Sequence, residues 1–255
     1  MSDWHIIIGG GSGVGSRLTE LILEESQDNL MVFDRAYQDD SETQIISDTR
    51  KVVRVTGNID SSTEWSAYFS QISSIRSLSI ILPSCRPRDL QKNKLGFTPH
   101  FFNNCANVNS ALCNLILAIE GKLIQSSSVV FLSSVLGSRI APEDATLDYH
   151  ASKAVLDTIM RYMAVKLAPR TSVNCVSPGL IARDGRSILL KDERVAERVR
   201  QAVPLGRPCS QAEVARVIWS LNSGRLPYVS GQTILMDGGS SVIEPFANCK
   251  HMGVN

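Results

Sequence analysis

The chain has 255 residues, 43% hydrophobic and 20% charged, with a formal net charge of +1. That balance is ordinary for a folded globular domain and gives no electrostatic case for nucleic acid or an anionic membrane surface as a partner. No apolar run reaches the roughly 18 residues of a membrane span, and the six cysteines show neither Cys-x-x-Cys nor metal spacing, so the expectation is a cytoplasmic protein with reduced thiols and no metal.

Short apolar runs alternate with longer helical patterns along the chain. The first strand falls on Ile6-Ile7-Ile8, almost at the start and with no leader pattern before it, and a helix follows over Ser16 to Leu23. The second strand is Leu30 to Phe33 and the third Val52 to Val55, followed by a helix from Ser61 to Ile72. The fourth strand is Ser79 to Leu82, and a long helix runs from Asn103 to Ile124. Then come a strand at Val129 to Leu132, a helix at Tyr149 to Leu167, and a strand at Ser172 to Val176. Helical stretches around Asp192 to Arg200 and Ala212 to Leu221 precede a last strand at Gln232 to Leu235. Continuous apolar strands suit a sheet covered on both faces. Strands alternating with helices imply a parallel α/β sheet, and right-handed crossovers make it doubly wound. The prediction is one domain over residues 1–255 with about seven parallel strands of the Rossmann type. There is no internal repeat and no linker.

Between the first strand and first helix stands Gly9-Gly10-Gly11-Ser12-Gly13-Val14-Gly15. Glycines let a backbone turn tightly and approach a pyrophosphate, and a helix N-terminus offers N–H groups and a positive dipole end. A glycine run by itself is only a turn; its place between strand and helix makes it a dinucleotide loop. Asp34 ends the second strand. A carboxylate there accepts from the adenosine ribose 2′-hydroxyl and repels a 2′-phosphate. Arg35 follows and is the group that would instead meet such a phosphate. With no basic residue in the glycine loop, NAD is preferred over NADP.

Tyr149 and Lys153 stand four residues apart in Asp-Tyr-His-Ala-Ser-Lys, after the pair Ser133-Ser134. On a helix they share a face. An ammonium beside a phenol stabilises the phenolate, so the pair is a tunable acid/base. By itself Tyr-x-x-x-Lys is also what a solvated helix face looks like. Strand alternation sets Ser133 and Ser134 on opposite faces, so only one of them can hold a substrate oxygen at the phenol.

Taken together these motifs resemble the classical short-chain dehydrogenase/reductase family over nearly the whole chain. Its glycine spacing falls on Gly9, Gly13 and Gly15, and its pair after the third strand is Asn58-Ile59. Its helix asparagine is Asn109, its serine Ser134, and its Pro-Gly after the sixth strand is Pro178-Gly179. Pro204-Leu205-Gly206-Arg207, Glu213-Val214-Ala215 and Asp237-Gly238-Gly239 also read as family text. The resemblance implies that Tyr149 is the general acid/base. It makes Lys153 the partner of the phenol and of the nicotinamide ribose, Ser134 the residue that orients the substrate oxygen, and Asn109 the anchor of a water. The cofactor would lie along Gly9, Ser12, Gly13, Val14, Gly15, Asp34, Arg35, Asn58, Ile59, Pro178, Gly179 and Ile181, with Tyr149 and Lys153 at its nicotinamide end. Homodimers or homotetramers paired through the helices over Asn103–Ile124 and Tyr149–Leu167 are implied too.

Three positions depart from the family pattern. Ile8 stands where Thr is usual, Leu82-Pro83-Ser84-Cys85 replaces Asn-Asn-Ala-Gly, and Arg183 replaces the Thr after Pro-Gly. Residues 86–100, 137–148 and 180–203 are the expected substrate covers, 180–203 above all, and they carry Arg86, Arg88, Arg139, Arg183 and Arg186. Arginines grip carboxylates and phosphates, so an acidic group on the substrate is one reading and solvated surface arginines the other. The expected function is an NAD(H)-dependent oxidoreductase interconverting a small secondary alcohol and a ketone. The alternative is a weakly catalytic NAD(P)-binding sensor or scaffold of the same fold.

Overall fold

The structure, a computed structural model, describes residues 2–35, 42–47, 50–57, 65–82, 101–182 and 192–244, with backbone alone at 42–47, 101–108 and 195. The strands are β1 (Trp4–Ile8), β2 (Asn29–Asp34), β3 (Glu42–Ser47), β4 (Arg50–Thr56), β5 (Ile75–Ile80), β6 (Leu123–Leu132), β7 (Thr171–Pro178), β8 (Ile181–Ala182), β9 (Cys209–Ser210) and β10 (Thr233–Met236). The helices are α1 (Val14–Glu25), α2 (Trp65–Phe69), α3 (Phe101–Ile119), α4 (Leu147–Lys166), α5 (Glu193–Ala202) and α6 (Gln211–Asn222). An eight-stranded sheet runs in the order β10-β7-β6-β5-β1-β2-β4-β3. Every pairing in it is parallel except that of β3 with β4.

The strand alternation of β1 divides the core. Ile6 and Ile8 face a layer with Phe69, Leu112, Leu115, Phe131, Leu156 and Met160, beneath α2, α3 and α4. Ile7 faces the opposite layer with Leu18, Ile22, Val32, Val130, Val214 and Ile218, beneath α1 and α6. Both faces are therefore dry, which is why the strands read as unbroken apolar runs.

Seven parallel strands answer to the seven expected, and four details differ. β3 pairs antiparallel at the edge and was not anticipated, because Glu42-Thr43-Gln44 breaks the apolar pattern. The fourth strand is Ile75–Ile80, not Ser79 to Leu82. Ser77, which lies before the expected strand, and Ser79, its expected first residue, are both buried with partners: Ser77 Oγ lies 2.7 Å from His5 Nδ1, and Ser79 Oγ accepts from Asn222 Nδ2 at 2.7 Å. The long helix ends at Ile119, and a 3₁₀ turn over Glu120–Lys122 leads into β6, which starts earlier than expected. Of the helix expected from Ser61 to Ile72, α2 covers Trp65–Phe69, and residues 61–64 lie outside the described residues.

Among the described residues, no helix is long and apolar enough to cross a membrane, and no cluster of His, Cys, Asp and Glu could hold a metal ion.

Candidate active site

From β1 the chain proceeds outward through β2 and β4, then returns to β5 and proceeds the other way. The crevice at the carboxyl ends of β1 and β5 is thus the point where the winding reverses, and a doubly wound sheet binds its ligand there. Each residue expected in the site and described in the structure comes from a segment that leaves this edge of the sheet or packs beside it.

The glycine loop leaves β1 with the Gly9 and Gly10 N–H groups donating to Phe33 O, at 2.7 and 3.2 Å. Gly13 is the N-cap of α1, with φ 61° and no side-chain cap, so the first-turn N–H groups point outward for an anion. Gly15 has no room for a side chain: a Cβ there would lie 2.0 Å from Gly9 O. Ser12 is exposed and Val14 buried. The Asp34 carboxylate closes the loop from β2 by accepting the Gly11 N–H at 2.7 Å. Arg35 is exposed in the turn that follows. This donor-rich, side-chain-free cradle fits a diphosphate, and Asp34 fits a ribose diol beside it. Asn58 and Ile59 lie outside the described residues.

The proton-handling end is built on α4. Thr146 caps it, its hydroxyl accepting the Tyr149 N–H at 3.4 Å. Tyr149 is half-buried, and the Lys153 ammonium lies 5.8 Å from the centre of its ring. Lys153 is 3% exposed. Its Nζ donates to Leu132 O at 2.9 Å and to Leu82 O at 3.5 Å, across the ends of β6 and β5. An ammonium has three donors, so one is left for a further acceptor. Burial pulls Lys153 down from 10.5 to about 8.

The two serines have separate work. Ser133 donates its hydroxyl to Lys153 O at 3.2 Å and ties β6 to α4. Ser134 caps the turn Val135–Gly137, its Oγ accepting the Leu136 N–H at 3.2 Å, which leaves its hydroxyl proton to be donated. Asn109, on α3, has a buried Oδ1 without a hydrogen-bond partner. It borders a small cavity with Leu82 and Leu132, the residues whose carbonyls receive Lys153. A buried amide oxygen next to a gap is where an ordered water belongs. Pro178 ends β7, the Gly179 N–H donates to Met236 O at 3.1 Å, and Ile181 begins β8. Gly179 itself is pressed against Asp237, where a Cβ would come within 3.3 Å.

Some structural roles were not legible in the motifs. His150, next to Tyr149, is buried, with Nδ1 2.7 Å from Leu136 O and Nε2 accepting the Ala141 N–H at 3.4 Å. A carbonyl on one side and an N–H on the other require the neutral tautomer with the proton on Nδ1. His150 so pins the loop after Ser134 to α4. Gly137 lets that loop lie on the helix, since a Cβ there would be 3.0 Å from the Lys153 carbonyl carbon. Neither residue carries a sequence signal beyond its neighbourhood. Arg139 lies 3.9 Å from Asp237, so it already has a carboxylate partner. Arg86, Arg88, Arg183 and Arg186, with Pro83 to Cys85, lie outside the described residues.

A parallel sheet with a glycine loop at its switch point and a Tyr-Lys helix beside it defines a Rossmann-type oxidoreductase. Comparison with known proteins narrows the class. A family model described as enoyl-(acyl carrier protein) reductase matches residues 10–241. Glucose 1-dehydrogenase of Gluconobacter oxydans is 32% identical over 131 residues, 51% of this chain and 46% of that protein. The chain spans about half the length of several curated relatives it matches. The solved structure of 3-oxoacyl-[acyl-carrier protein] reductase from Brucella melitensis in complex with NAD superposes with a TM-score of 0.77 at 21% identity, covering 96% of this chain and 99% of that one. That of BdcA in complex with NADPH gives 0.72 at 17% identity, covering 92% and 93%. The chain belongs to the short-chain dehydrogenase/reductase family. Members of that fold take nicotinamide cofactors, of both the NAD and the NADP kind.

Proposed function

We propose that this chain is an NAD(H)-dependent oxidoreductase that interconverts a secondary alcohol and a ketone, with Tyr149 as the general acid/base. The observation that carries this reading is Lys153: a buried ammonium is costly, and here it is held beside a half-buried phenol at the winding switch point. Burial with a specific partner in a cleft is the signature of a working group.

The nicotinamide, when bound, supplies or accepts the hydride. The chain's own residues do the rest. Ser134 donates its hydroxyl to the substrate oxygen and sets it at Tyr149. Tyr149 gives that oxygen a proton in reduction and takes one in oxidation. Lys153 holds its ammonium beside the phenol and directs its remaining N–H at a ribose hydroxyl. A water on Asn109 Oδ1 links Lys153 to solvent. The N–H groups from Ser12 to Gly15 would hold the cofactor's diphosphate, and Asp34 would take the adenosine ribose, which favours NAD. Arg35 lies at the adenosine end, while Pro178, Gly179 and Ile181 would wall the nicotinamide end. Residues 180–203 cover the substrate, a small molecule. The working form is a cytoplasmic homodimer or homotetramer.

Tyr149→Phe tests the assignment. Phe keeps the ring and removes the only atom that carries the proton. Turnover of a panel of secondary alcohols with NAD should fall by about 10²–10⁴-fold, while NADH affinity, read by fluorescence titration, stays within a few-fold. A variant that keeps more than about a tenth of the wild-type rate sinks the role of Tyr149. A wild type that binds NADH tightly yet turns over nothing in either direction favours the sensor reading.

A further inference from the structure

The acid/base mechanism uses Tyr149 and Lys153 and leaves out the next residue on the same face of α4. Tyr149, Lys153 and Asp157 follow one another at four-residue steps, so they stack along one stripe of the helix. Asp157 is 8% exposed, and one of its carboxyl oxygens is buried without a hydrogen-bond partner. A carboxylate in that condition is costly unless an opposite charge faces it. Two cations of α4 flank it one turn away on either side: Lys153, buried, and Arg161, exposed.

From the sheet, Cys175 of β7 approaches the same stripe. It is fully buried, its thiol lies 3.9 Å from Leu156 O, and it hydrogen-bonds the Asp157 side chain. At the end of β6 and just past that of β5, the carbonyls of Leu132 and Leu82 accept from the ammonium. Among the described residues, the ionisable groups that bear on Lys153 are Tyr149, Asp157 and Cys175.

We propose that Asp157 is a positioning residue for Lys153: its carboxylate, one turn behind the ammonium, keeps the lysine charged inside the core and poised at Tyr149. Burial is the largest influence on Lys153 and works against the charge; Cys175 and Asp157 oppose it. Cys175 cannot be the working counter-charge. Burial, and the neighbouring Asp157, push its thiol far above the ordinary range, so it is neutral where the enzyme operates. That leaves Asp157.

The proposal rests on the reading of Lys153 as partner of Tyr149, but its test reads the lysine itself. In cofactor-free protein carrying ¹³C-labelled lysine, the Lys153 ε-methylene resonance, assigned by its absence from Lys153→Met, is followed against pH. Asp157→Asn is expected to lower the midpoint by at least about half a unit, since an opposite charge nearby favours the charged form. Asp157→Glu keeps the charge and should restore the midpoint to within about 0.3 unit. Cys175→Ala should not lower it. An unchanged midpoint in a folded Asp157→Asn protein overturns the proposal. So does a drop of half a unit in Cys175→Ala, which remains decisive if Asp157→Asn fails to fold. Absence of turnover in wild type would instead count against the oxidoreductase reading and leave this titration to judge Asp157.

Discussion

Asp34 shows how one side chain can serve both the loop and the ligand. Its carboxylate holds the Gly11 N–H at 2.7 Å, so it is already fixed where a ribose would reach it. A 2′-phosphate would be brought against that charge and desolvated on the way. Wild type should prefer NAD over NADP by at least about tenfold in kcat/KM, equivalent to roughly 1.4 kcal/mol. Asp34→Ser removes the repulsion, and Arg35, exposed next to it, is then free to meet the phosphate. The ratio should narrow in the variant when kcat/KM is measured with both cofactors. Equal use by wild type, or an unchanged ratio in Asp34→Ser, would place the selectivity elsewhere. Residues of this kind were legible because their type and spacing have a fixed chemical use: the glycines, Asp34, Tyr149 and Lys153. Asp157 and Cys175 were not, since a carboxylate and a thiol in a helix and a strand read as ordinary until burial puts them beside Lys153.

At the scale of elements, apolar periodicity located each parallel strand and failed where polar residues are buried. β5 starts before its apolar run does because Ser77 has a partner, His5, that sequence distance hides. β3 was missed because an edge strand needs no apolar face. The helices pose the reverse problem, since apolar residues in α3 and α4 had no assigned direction. The structure divides them. Leu112 and Leu115 are in the core, and Ile159 and Met163 pack against it. Leu117, Tyr162 and Val165 face outward, at 64%, 60% and 78% exposure. Large apolar side chains so exposed on two neighbouring helices suit a self-complementary contact. Light scattering at micromolar concentration should find a dimer or tetramer, and the double change Leu117→Glu with Val165→Glu should yield monomer. A monomeric wild type would refute the pairing.

For the molecule as a whole, the acid/base site sets stability against function. The parallel sheet could be read from the chain because both faces are dry, and a dry interior is also what makes Lys153 expensive. Its folded-state value of about 8 lies below its ordinary 10.5. Between those values the unfolded chain binds the extra proton, so this residue makes the protein more stable as pH rises from about 8 to about 10.5. Below pH 8 the full penalty is present, on the order of 3 kcal/mol by linkage. Lys153→Met removes the charge and keeps most of the volume. It also removes the donor to Leu132 O, which costs about 1–3 kcal/mol. The variant should therefore be about as stable as wild type at pH 7, or more stable by up to about 2 kcal/mol, while its acid/base catalysis is lost. Urea unfolding at a series of pH values checks both parts. The rise in stability of wild type relative to Lys153→Met between pH 8 and 10.5 is the decisive signature. A difference between the two proteins that does not change across that window would mean that burial does not pull Lys153 below its ordinary value.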